Sequence, residues 1–289
     1  MKYFFPFVWV CLFVSPGFAM HKPAYIIFDG NGNEVNYSSM MERITEADVL
    51  LFGELHGNPI AHWLQYEVAI DLHNAREGAL ILGAEMFEAD NQLLLDEYLE
   101  ELITERSFEA EAKLWVSYNT DYRPLVLFAR ENSIPVIASN VPRRYANMVF
   151  HGGFEALDNL DRAALDYIAP LPVPYDPDLP GYREMREMES MPGGHGGENL
   201  PKAQAIKDAT MAHFIIENHE PGKLLVHFHG TFHSDNYGGI YWYLEKWAPE
   251  LNIVTISTTL QQDPRSLDEG ALGRADFILV VPERMTRTH

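Results

Sequence analysis

Cysteine is almost missing from this chain: 289 residues contain one, Cys11. A single thiol excludes an internal disulfide framework and any Cys-rich zinc or iron–sulfur centre. Positive charge is also scarce. Lys+Arg number 21 against Asp+Glu 42, a formal net charge of −21. Phosphate binding needs a basic patch, so nucleic acid is excluded as the main partner, and polybasic membrane attachment with it. What is plentiful is apolar residues, 47% of the chain, with 12% aromatic. That excludes disorder for most of it. A chain of this size buries roughly 75% of its unfolded surface, enough for a large core. The twelve histidines remain as the soft ligands.

The N-terminus predicts export. Met1-Lys2 precedes the uncharged apolar run Tyr3–Val14, and Gly17 and Ala19 supply small residues for cleavage. The run is shorter than the ~20 residues that span a bilayer. Cleavage after Ala19 removes 19 of 289 residues and leaves 270, without cysteine, and loss of Lys2 takes the charge from −21 to −22. Cys11 follows Trp9-Val10, where a lipoprotein needs a small residue. This argues against a lipid anchor. The expected location is the periplasm or cell envelope.

The rest predicts one α/β domain over residues 20–289, a mostly parallel β-sheet flanked by helices. Asp29-Gly30-Asn31-Gly32-Asn33 after Ala24–Phe28 predicts an N-terminal β-hairpin. Strand-like runs follow at Val49–Phe52, Ala79–Leu82, Ile134–Ala138, Leu224–Phe228, Ile253–Ser257 and Phe277–Val281. Helical patterns alternate with them, at about 59–75, from Asp90 and at Ile240–Trp247. Two stretches exceed a minimal unit and are expected as helical insertions. One is about 87–125, with Trp115, Tyr118 and Tyr122. The other is about 150–215, Pro-rich and then Gly-rich at Gly193–Gly197, read as a mobile loop.

In an open parallel sheet ligands bind beyond the carboxyl ends of the strands. Here the ends read Gly53-Glu54-Leu55-His56, Gly83-Ala84-Glu85, Ser139-Asn140 followed by Arg143-Arg144, and His227-Phe228-His229-Gly230-Thr231-Phe232-His233. Four ends delivering acid, imidazole or amide to one edge predict a shared pocket. Taken singly, Glu54, His56 or Asn140 would serve as helix caps, and His227 as a satisfied core histidine. Glu85 after an apolar run costs too much unless paired. His56, Glu85, His229 and His233 make an N/O set that could hold zinc or another divalent metal. The same residues could act without metal as an acid/base pair.

Taken in order, these motifs resemble the ChaN-like haem-binding family, within the wider group of TIKI proteases and erythromycin-esterase-like enzymes. The resemblance rests on Leu51–His56, Gly83–Phe87, Tyr122–Leu125, Ile134–Arg143, Gln204 with Asp208–Ala212, His229–His233 and Gly238–Ile240. It implies an α/β domain with a helical subdomain, export, and haem held by a tyrosine at a dimer contact. It further implies partnership with an outer-membrane haem or iron transporter. Tyr118 and Tyr122 are the candidate ligands. Arg123, Arg143 and Arg144 are candidates for the haem propionates. The alternative is a hydrolase, with or without a divalent metal, that uses the Glu54, His56, Glu85, His229 and His233 cluster, with Glu54, His56, Glu85 and His233 catalytic, as the TIKI and esterase relatives imply.

Overall fold

The computed structural model describes residues 22–190 and 197–287. The expected signal peptide and residues 193–196 of the Gly-rich stretch lie outside them. Strands β1 (Ile26–Asp29) and β2 (Glu34–Val35) form the expected antiparallel hairpin. The Asp29 carboxylate closes its turn by accepting from the backbone N–H groups of Asn31 and Asn33.

In chain order there follow α1 (Tyr37–Thr45), β3 (Val49–Glu54), α2 (Pro59–Ala75), β4 (Leu80–Glu88), α3 (Gln92–Leu99) and α4 (Glu105–Glu111). A π-helical turn, Tyr118–Tyr122, leads into α5 (Arg123–Glu131), then β5 (Val136–Asn140) and α6 (Arg143–Gly152). The chain continues with α7 (Arg162–Leu165), α8 (Pro180–Ser190), α9 (Leu200–Asn218), β6 (Leu224–Gly230), α10 (Gly239–Trp247), β7 (Ile253–Gln261) and β8 (Phe277–Pro282).

The strands make one sheet in the order β2-β1-β8-β7-β3-β6-β4-β5. From β8 to β5 all neighbours run parallel, and β1 runs antiparallel to β8 and β2. The α/β fold with a mostly parallel sheet and an N-terminal hairpin is therefore present.

Successive strand residues point to opposite faces. Leu50, Phe52, Leu82, Val226 and Phe228 pack on one side, against Leu64 and Val68 of α2 and Val126 of α5. Val49, Leu51, Ile81 and Leu225 pack on the other, against α6, α9 and α10. Both faces are covered, which is why β3 and β6 are buried along their whole length. Much of α9 is core too, with Ala205, Ile206, Ala209, Met211 and Ala212 fully buried. It lies on the crossover from β5 to β6, so the stretch 150–215 is not all peripheral. The outer edge of β5 is covered by one side chain. Gln92 donates to the Val136 carbonyl over 2.9 Å and accepts from the Ala138 N–H over 2.6 Å, as a neighbouring strand would.

No helix among the described residues is long and apolar enough to cross a membrane.

Candidate functional site

The β3 and β4 glutamates leave the sheet on opposite faces. Glu54 shares parity with Leu50 and Phe52, so it enters the α2 side; Glu85 shares parity with Ile81, so it enters the α9 side. Both are buried. A buried carboxylate must find donors, and each does so from several elements.

Glu54 Oε1 accepts from His56 Nδ1–H and from the Tyr122 hydroxyl, each over 2.7 Å. Its Oε2 accepts from the Gln65 amide over 2.6 Å and lies 3.4 Å from His62 Nδ1. Behind it, His62 Nε2 lies 3.4 Å from Asp121 Oδ2. Neither Glu54 nor His56 caps α2. Asn58 does, its side chain accepting from the N–H groups of Ile60 and Ala61.

Glu85 Oε2 accepts from the Gly230 N–H over 2.8 Å, and Oε1 lies 3.2 Å from His233 Nε2. His233 Nδ1–H donates to Asp208, whose other oxygen accepts from the Tyr182 hydroxyl over 2.7 Å. Burial opposes charge on His233, but Glu85 and Asp208 outweigh it and push its pKa up to about 10. Burial works against the Glu85 anion in the same way; the His233 cation and the Gly230 N–H overcome it and hold the carboxyl well below its usual range. For Asp208 burial wins, and its pKa is raised despite His233 and Tyr182.

His56 stands between the two glutamates. Its side chain is 42% exposed, and its ring meets Trp115 edge-on at 4.9 Å. A Cβ placed on Gly230 would come within 2.9 Å of His56 Nε2 and 3.7 Å of Glu85 Oε2. The missing side chain leaves the space into which both groups face.

His227 and His229 form a separate buried chain. His227 Nε2–H donates to Ser139 Oγ over 2.7 Å, and the Ser139 hydroxyl donates to the Ala84 carbonyl over 3.1 Å. His229 Nδ1–H faces His227 Nδ1 at 3.0 Å, and the Ser234 hydroxyl donates to His229 Nε2 over 2.8 Å. Every group is satisfied with both rings neutral. Burial sets this state: it pulls His227 down to about 3 and His229 well below its ordinary value.

The expected metal set is therefore corrected. Both nitrogens of His229 are engaged, and both of His233 face carboxylates, so His56, Glu85, His229 and His233 do not converge. Among the described residues no group of three or more His, Cys, Asp or Glu is arranged to hold a metal ion. Asn140 is not a helix cap either. Its amide donates to the Glu85 carbonyl over 3.0 Å.

The tyrosines expected as haem ligands are both buried. Tyr118 is 3% exposed, packed between Phe87 and Phe108, and its hydroxyl has no hydrogen-bond partner. Tyr122 is 2% exposed and bound to Glu54. Burial raises both phenols far from phenolate, most strongly for Tyr122 beside the Glu54 charge. Arg123 pairs with Glu105 and Arg144 with Asp90. Arg143 is 82% exposed, with Glu88 at 3.9 Å.

Sequence reasoning did not single out His62, Gln65, Asp121 or Asp208 as site residues. For His62, Gln65 and Asp208 the signal was a polar residue at a core phase of an otherwise apolar helix; Asp121, in the Tyr118–Tyr122 turn, carried no such signal. His62 and Gln65 fall among Ala61, Leu64 and Val68, and Asp208 among Ala205, Ile206 and Ala209.

The model of a family described as haem-binding uptake, Tiki superfamily, ChaN, matches residues 40–244. The fold is similar to that of ChaN of Campylobacter jejuni, whose structure is described as showing cofacial haem binding. That likeness has a TM-score of 0.67 at 16% identity and covers 89% of this chain and 96% of the other. A succinoglycan biosynthesis protein is similar with a TM-score of 0.50 at 13% identity, over 84% of this chain and 90% of the other. At these identities the likeness is one of fold. No protein of curated function matches.

Proposed function

The chain belongs to the haem-binding uptake family, Tiki superfamily, ChaN, and on that premise we propose that it binds haem after export and serves haem or iron uptake. The family match carries this reading, because residues 40–244 include the ends of β3, β4, β5 and β6, from which the site is built. Haem joins an apolar face to two carboxylates, so a protein of net charge −21 needs a local exception to hold it. Such an exception stands beside the crevice. Val116 is fully exposed next to Trp115, Phe232 is 41% exposed, and Arg143 projects from the start of α6. These residues would hold the macrocycle and a propionate. Haem would bring a ferric iron, for which the protein would have to supply a donor side chain. Tyr118 and Tyr122 do not fit that part, since neither hydroxyl reaches the surface. A tyrosine ligand at a contact between two copies thus calls for another residue.

The test is a haemin titration of the protein lacking residues 1–19, followed by absorption spectroscopy and size-exclusion chromatography. Saturable binding, weakened by Val116→Glu and by Arg143→Glu, with a shift from monomer to dimer, is expected. Absence of saturable binding rejects the reading. Export is tested by fractionation and N-terminal sequencing, with Met20 expected as the first residue.

A second reading is favoured by one observation, the convergence of Glu85 and His56 over Gly230. It is hydrolysis by acid/base catalysis. Water would lose a proton to Glu85 as its oxygen adds to the carbonyl carbon of an ester or amide. As the bond to the leaving group breaks, His56 would give that group a proton, and the proton on Glu85 would return to His56. Turnover on an ester or peptide panel, lost in Glu54→Gln, supports it; an inactive parent protein rejects it.

A further inference from the structure

Seven ionisable side chains run in one row through the crevice: Asp121, His62, Glu54, His56, Glu85, His233 and Asp208. The links on one side are Asp121–His62 at 3.4 Å, His62–Glu54 at 3.4 Å and Glu54–His56 at 2.7 Å. On the other side Glu85–His233 measures 3.2 Å and His233 is bound to Asp208. His56 and Glu85 meet at the space above Gly230.

The protonation of the row follows from hydrogen-bond chemistry. A carboxylate only accepts, and a neutral imidazole has a single N–H. His233 faces an acceptor at each nitrogen, Asp208 and Glu85. His62 differs: its Nδ1 meets the Gln65 carbonyl oxygen at 3.2 Å, with Glu54 at 3.4 Å, while its Nε2 makes no hydrogen bond, with Asp121 Oδ2 at 3.4 Å. The two carboxylates at His233 favour its doubly protonated form, with the Gln204 amide nitrogen also 3.0 and 3.2 Å from its two ring nitrogens. On the Glu85 side the signs then alternate, with Asp208 and Glu85 as anions about the His233 cation.

His56 is the member open to solvent. No other side chain in the row exceeds 6% exposure. It is faced by Glu54 from β3, by Glu85 from β4 and by His233 from the turn after β6. The Tyr122 hydroxyl reaches the same Glu54 oxygen from the turn before α5, and Trp115 packs on the ring edge. Burial disfavours charge on His56, but its bond to Glu54 and the charges of Glu54 and Glu85 prevail over burial and His233, so its pKa is raised.

We propose that His56 is a resting acid, carrying its proton at neutral pH, and that Asp208 is its positioning residue. Asp208 acts through the His233 imidazolium, which holds Glu85 as an anion. This rests on the acid/base reading of the crevice and adds a substrate class to it. Nε2–H of His56 offers a proton to the basic oxygen or nitrogen of an uncharged group lodged over Gly230. An anionic group in that place meets Glu85 and Glu54.

The experiment is 15N NMR of the ligand-free full chain with labelled histidine, between about pH 5.5 and 8.5, where ordinary histidines titrate. The expected result is that His233 stays doubly protonated throughout. His56 titrates above its ordinary value. Asp208→Asn lets His233 lose its proton within the range. Asp208→Glu restores the doubly protonated signature. A neutral tautomer of His233 at neutral pH in the parent protein overturns the proposal, as does His56 titrating at or below 6.5. The parent spectra decide this even if a variant does not fold. They use neither haem nor substrate, so failure of either functional reading is seen separately. If ester turnover is found, an acid His56 makes it fall as pH rises through the His56 titration, and a rising limb contradicts the acid role.

Discussion

Gly230 and His56 share one space: the Cβ that Gly230 lacks would stand 2.9 Å from His56 Nε2. The glycine is not there for its backbone. With φ −65° and ψ 143° it holds a conformation open to any residue. Its role is to leave room between an imidazole and a carboxylate. Gly230→Ala should therefore fold, because the atom it strikes is the far end of a side chain that can turn away. We expect a stability change of about 1 kcal/mol or less in urea titrations. Turnover at the crevice, if measured on an ester, should fall on the order of 100-fold through misplacement of His56. Unchanged turnover would show that this space is not used.

Tyr118 and Tyr122 lie in one π-helical turn but make opposite predictions. The Tyr118 hydroxyl is buried without a partner. Tyr118→Phe removes an unsatisfied group and should be neutral or stabilising, by up to about 1–2 kcal/mol. Tyr122→Phe takes a donor from buried Glu54 and should cost about 1–3 kcal/mol. Chemical denaturation of both variants checks the order. Haemin affinity should not distinguish Tyr118→Phe from the parent protein.

Stability should peak near pH 6.5, the ordinary histidine value. The folded pKa of His233, about 10, lies above 6.5, so its contribution is complete below 6.5 and is lost as pH rises toward 10. His227 is the reverse. At about 3 it lies below 6.5, so the unfolded chain takes up the proton first and stability falls as pH drops from 6.5 toward 3. His229 acts in the same direction, and Glu85 adds a further loss below its ordinary 4.5. Each proton contributes a slope of at most about 1.4 kcal/mol per pH unit. Thermal melts across this range should trace a dome. A plateau running unbroken from acid to alkali would show that these groups keep ordinary pKa values in the fold.

Gln92 stands in for a strand along the edge of β5. Gln92→Ala leaves the Val136 carbonyl and the Ala138 N–H without their partner. The expected cost is about 1–3 kcal/mol. A second consequence is an exposed edge open to pairing with other chains. Light scattering during refolding should detect it, and Gln92→Glu, which keeps the acceptor but loses the donor, should be intermediate.

The alternation of apolar runs and helical patterns was readable from the chain alone, and so were the four strand ends that bear the site. These are local properties. A strand displays its side-chain parity within a few residues, and a parallel sheet sets its strand ends along one edge whatever the order of the strands. The expectation of export likewise rests on sequence only. Tertiary structure alone decided who partners whom. The register of β3 and β4 against β6 sends Glu54 and Glu85 to opposite faces. One carboxylate then finds a tyrosine 68 positions along the chain, and the other a backbone N–H 145 positions away. It also turned Tyr118 and Tyr122 inward and gave both nitrogens of His229 to its neighbours. Nothing in their composition or spacing foretold this. A side chain's direction depends on the register and packing of elements far apart in sequence, and a buried charge is tolerable only where that packing delivers its counterpart.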